Sequence, residues 1–186
     1  MTEKKRTTAK SFRFVFLTLL LLVIVAVTIG CGQSSNLEQQ SKKALNQLLS
    51  CTLQQAEDFD KAAAADRDSI EAEADGEIGL VQGGDELQDY FKKRFGDSMT
   101  DECIDDLAKS RTFYRSIALT KDFGSDIEAV EIELTKRSDD QECYTFSANI
   151  KTSAGDSAAA AEGTISMEKD GKEWKASQIT LTWMTI

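Results

Sequence analysis

The spacing of apolar residues changes once along this chain, and that change limits the folds open to it. Up to about residue 110 the apolar positions recur every three or four residues, and beyond it they alternate. Helical spacing followed by strand spacing predicts helices first and an antiparallel sheet after them, an α+β arrangement.

Leu45, Leu48, Leu49, Thr52, Ala56 and Phe59 form one stripe and predict a helix over residues 37–64. Residues 66–84 set Asp66, Asp68, Glu71, Glu73, Asp75 and Glu77 against Arg67 alone, with four glycines among them. That composition reads as a solvated acidic connection with at most one helical turn. Its spacing departs from a calcium loop, because Ile70 and Glu71 stand where further ligands and the turn glycine would be needed. Asp85 is placed to cap a second helix with Leu87, Tyr90, Phe91 and Phe95 on its buried side, stopped by Gly96. Thr100 is placed to cap a third that buries Cys103, Ile104 and Leu107.

Residues 113–119 then read as a first strand. Val130, Ile132 and Leu134 share one face of the next, and Tyr144, Phe146, Ala148 and Ile150 one face of another. Ile165 and Met167 mark a further strand, and Asp170-Gly171 a tight hairpin turn. In the last strand Trp174 and Ala176 differ in parity from Ile179, Leu181 and Trp183. Alternation has period two, so a bulge is expected near Ser177-Gln178. Strands apolar on one side need cover there, and the first helix is the natural cover. Three helices followed by a curved sheet with a bent last strand resemble the nuclear transport factor 2-like (cystatin-like) fold over residues 37–186. The resemblance implies a cone-like domain. It rests on element order, without a diagnostic motif.

The beginning of the chain has another character. Lys4, Lys5, Arg6, Lys10 and Arg13 stand against Glu3, and residues 14–29 are uncharged and apolar apart from Thr18 and Thr28. The first thirteen residues therefore carry +4, and the chain total of −10 leaves −14 on residues 31–186. A basic start, an apolar run and small residues after it form the layout of an export signal. The run of 16 residues also leaves open an uncleaved signal-anchor helix, the domain then serving as a spacer. Either reading keeps the positive end in the cytoplasm and puts the rest outside.

Gly30-Cys31, followed by the small polar Gly32-Gln33-Ser34-Ser35-Asn36, resembles the lipobox and tether of bacterial lipoproteins. Thr28 stands where that family usually has Leu. The resemblance implies cleavage before Cys31, a lipid on its thiol, and anchoring at the extracytoplasmic face of the cell membrane. The organisation expected is a signal over residues 1–30, a tether over 31–36 and one domain over 37–186.

The chemistry available to that domain is restricted. With no histidine, Ser-His-Asp and Cys-His nucleophile pairs and an HExxH zinc site are excluded. There is no CxxC pair and no phosphate-cradling glycine motif, so no metal or other cofactor is expected. A body at −14 repels nucleic acid. The expectation is a non-catalytic binding or accessory domain whose partners are the membrane and a protein or small ligand. The competing reading is an isomerase- or dehydratase-like cavity, which would need a buried Asp beside a tyrosine. Tyr90, Tyr144 and Trp174 could line it, with Phe91 and Phe146 as further pocket aromatics, though large aromatics more often belong to a core. In an oxidising compartment Cys51 and Cys103, both on helices, are the candidate disulfide pair, with Cys143 on the far side of its strand.

Overall fold

A computed structural model describes residues 36–73, 85–140 and 142–184. The basic leader, the apolar run and Cys31 lie outside the described residues, as does most of the tether. Residues Glu38–Ile186 form one compact unit. Among the described residues no helix is long and apolar enough to cross a membrane.

The described residues form an α+β fold, five helices packed on a four-stranded antiparallel open sheet. In chain order these are α1 (residues 36–49), α2 (Leu53–Glu73), α3 (Asp85–Phe95), α4 (Asp101–Lys109) and α5 (Tyr114–Phe123). The strands β1 (Ile127–Lys136), β2 (Cys143–Thr152), β3 (Ser157–Asp170) and β4 (Glu173–Met184) form a meander in sequence order.

The single helix expected over residues 37–64 is two helices. The chain breaks at Ser50-Cys51-Thr52, and Cys51 pairs with the first residue of β1. Its N–H donates to the Ile127 carbonyl at 3.0 Å, and Ile127 N–H returns the bond at 2.9 Å. A capping box restarts the helix. Gln55 N–H donates to Thr52 Oγ1 at 3.1 Å, and Thr52 N–H donates to Gln55 Oε1 at 3.0 Å. The Thr-x-x-Gln signal was legible in the sequence, but Thr52 also fitted the apolar stripe and was read as part of it. It is exposed.

The acidic stretch is also more ordered than expected, because α2 continues to Glu73. Asp66 is buried, and its two oxygens accept the N–H groups of Glu86 at 3.1 Å and Leu87 at 3.2 Å. Asp85 is the first helical residue of α3, and the carboxylate reaching that first turn belongs to Asp66. A negative group at a helix N-terminus meets the unpaired N–H groups and the positive end of the macrodipole. The cap at Thr100 forms as expected, with Cys103 N–H on Thr100 Oγ1 at 3.2 Å, and α4 buries Cys103, Ile104 and Leu107.

Residues 113–119, expected as a strand, begin α5. Phe113, Ser116, Ile117 and Thr120 are buried at helical spacing. Gly124 ends the helix in the left-handed conformation at φ 61°. Gly124 N–H bonds Lys121 O and Ser125 N–H bonds Thr120 O, a Schellman ending. A short apolar segment fits either period, and the aromatic packing decides it. Phe113 stacks on Phe95 at 4.4 Å and meets Phe91 at 4.6 Å, and Phe59 meets the Tyr114 ring edge-on at 5.2 Å.

In the sheet, Tyr144, Phe146, Ala148 and Ile150 are buried as expected. The bulge expected in β4 is present: Ser166 opposes Gln178 while Met167 opposes Ala176, leaving Ser177 extra. It puts Trp174, Ala176 and Ile179 on one buried face. β3 begins at Ser157 and therefore includes the alanine run, with Ala161 opposite Ala148. One face assignment changes. A bulge lies between Val130 and Glu133, with Glu131 at φ 53°. Val130 pairs with the exposed Asn149, whereas Leu134 pairs with the buried Phe146, so Val130 faces away from Leu134. The opposite sheet face carries Thr135, Thr145, Thr164 and Thr180 in one row across all four strands.

Candidate functional site

A concavity lined by several ionisable side chains runs between α2 and α3. It measures about 810 Å³, and its walls include Asp58, Lys61, Glu86, Asp89, Tyr90 and Lys93. The wall exists because α2 and α3 pack through Phe59 and Phe91, with Phe59 edge-on to Tyr90 at 5.8 Å. Spacing of three and four on each helix then turns Asp58 and Lys61, and Asp89 and Lys93, toward the opening.

Tyr90 and Arg94, one turn apart, form the floor. The Tyr90 hydroxyl donates to Gln55 O at 2.9 Å and accepts from Arg94 Nη1 at 2.9 Å. Arg94 Nη2 donates to Ser50 O at 2.7 Å, and Nη1 lies 3.8 Å from Cys51 Sγ. The guanidinium thus satisfies carbonyls left open where α1 ends, a favourable place for a cation. Burial pushes the Tyr90 hydroxyl up from its ordinary value against the opposing pull of Arg94. Tyr90 therefore stays protonated near neutrality, with donor and acceptor both engaged. Asp58 is held below its ordinary value, first by the hydrogen bond from Gln54 and then by Lys61. The groove thus offers fixed, mixed charges with a neutral phenol at its base.

Of the aromatics singled out from the sequence, Tyr90 lines this groove and the other four do not. Phe91, Tyr144, Phe146 and Trp174 are all buried, and none lines it. Phe91 belongs to the aromatic cluster between helices, whereas Tyr144 and Phe146 are neighbours on β2 and Trp174 lies on β4. Burial raises the Tyr144 hydroxyl, with Glu38 adding to the shift. Lys169 Nζ caps the Trp174 ring at 5.4 Å. What sequence reasoning missed is the pairing of Tyr90 with Arg94. Its signal was the spacing of four residues, but the carbonyls that Arg94 serves become its neighbours only after α1 breaks.

Cys51, Cys103 and Cys143 are free, buried thiols, and the expected Cys51–Cys103 bridge is not formed. Cys51 sits in the chain break and donates to Thr52 O at 3.5 Å. The Cys103 thiol faces the Ile179 backbone, and burial pushes it up to about 12. Each packs as a small apolar group. Comparison with protein-family models, with curated proteins and with solved structures returns no match.

Proposed function

We propose that the chain is an exported, lipid-anchored binding or accessory domain, held at the extracytoplasmic membrane face through Cys31. The observation carrying this reading is the order of residues 1–36: basic leader, uncharged apolar run, Gly30-Cys31, then a small polar tether ahead of an acidic body. A thiol at a new N-terminus can hold acyl chains, and each buried methylene adds about 0.8 kcal/mol of membrane affinity.

The described fold supports a recognition role. Helices packed on one face of a bulged antiparallel sheet are compatible with a cone-like domain of the nuclear transport factor 2-like type. Tyr90 and Arg94 of the α2–α3 groove are engaged in holding helices together, and Phe91, Tyr144, Phe146 and Trp174 pack as core. The groove and the small-polar sheet face are then the surfaces offered to a protein or small ligand. Metabolic labelling with radioactive fatty acid tests the anchor. Label should enter the wild type and be lost in Cys31→Ala, and label retained in the variant refutes the reading.

A further inference from the structure

We infer that the free edge of β4 is a pairing surface for a second copy of this chain, joined antiparallel about a two-fold axis at Thr182. One stretch of this edge is already covered. Ala176 N–H donates to Ser98 O at 2.8 Å, and Thr100 N–H donates to Ala176 O at 3.0 Å. The Cys103 thiol of α4 faces the Ile179 backbone. Strand alternation then turns the backbone groups of Leu181 and Trp183 outward on the same side as those of Ile179. Beyond Ile179, none of the described residues pairs with this edge from outside the sheet.

The two edges of the sheet differ in how they are guarded. β1 carries Glu128, Glu131, Glu133 and Lys136, and a bulge with Glu131 at positive φ. Charges and bulges are the usual protection of an edge strand. Residues 178–184 carry no charge and no proline, and Leu181 and Trp183 are half-buried while Met184 is exposed. In an acidic chain, an uncharged segment is where a second copy can approach with least repulsion. Two β1 edges would bring glutamates together.

The register follows from the geometry. An axis at Thr182 sets Leu181 opposite Trp183 of the second copy, each pair exchanging both backbone bonds. Residues of equal parity face the same side, so the half-buried Leu181 and Trp183 side chains cover one another and Thr182 meets Thr182. Shifting the axis toward Ile179 would drive the second strand into α4. Short strand pairing covers little area, so the dimer is weak and concentration-dependent.

Cysteine cross-linking of the full chain in mild detergent tests the register. Thr182 is exposed, and facing residues of a non-hydrogen-bonded pair place their Cα atoms close enough for a disulfide. Thr182→Cys should give a covalent dimer under mild oxidant at least roughly tenfold above Thr164→Cys on an interior strand. Thr182→Lys should sediment as monomer at concentrations where the wild type shows dimer. Equal cross-linking of the two cysteine variants, or Thr180→Cys exceeding Thr182→Cys, overturns the pairing. Slow amide exchange at Leu181 and Trp183 in a monomeric chain would mean another strand covers the edge, and it overturns the second copy as occupant.

Discussion

Replacing Gly163 with alanine should destabilise the domain by about 3 kcal/mol, the upper end of the usual cost of overpacking. Gly163 lies in β3 between Phe146 and Leu181. A Cβ added there would stand 2.0 Å from Thr180 O and 2.8 Å from Leu181 Cα. Ordinary contact begins near 3.4 Å, so the oxygen must retreat by about 1.4 Å. Both obstructing atoms are backbone, so no rotamer change relieves the clash. β4 must move away from β3, weakening ladder hydrogen bonds that contribute roughly 1 kcal/mol each. Both tryptophans, Trp174 and Trp183, are on β4, which makes their fluorescence the direct reporter. Urea unfolding of the full chain in mild detergent should show a lower midpoint, with red-shifted emission before the main transition. An unfolding free energy within about 0.5 kcal/mol of wild type, the range of a neutral surface change, would refute the close approach of β3 and β4 at this glycine.

Two further perturbations test other parts of the argument. Asp66→Ala should cost about 2 kcal/mol and lower helix content by circular dichroism, because α3 loses the carboxylate on its first-turn N–H groups. Unchanged helicity and stability would show that α3 caps itself. Cys103 supplies a pH dependence with a definite sign. Its folded value, about 12, lies above the ordinary 9.0, so between these values the unfolded chain has released the proton and the folded chain has not. Stability should therefore fall as pH rises from about 9 toward 12, and Cys103→Ala should remove that portion of the slope. The same slope in the variant would assign it elsewhere.

The sequence alone placed helices before strands, the Thr100 cap, the inward set on β2 and the bulge in β4. These features depend on local chemistry and on a period of two, which needs no knowledge of distant residues. Tertiary packing decided the rest. α1 breaks where Cys51 meets Ile127, a contact between residues 76 apart. Residues 114–123 are helical because Phe113, just before the helix, stacks on Phe95 and meets Phe91, and a segment so short fits either period until its partners are known. Val130 turned outward because of a bulge that begins with Glu131 at positive φ, a conformation glutamate composition does not announce. Arg94 had the charge to bind the end of α1, but only the fold brought those carbonyls to it. Which edge of the sheet is guarded likewise followed from strand order. The charges were written in the chain, and their position at a free edge came from the meander.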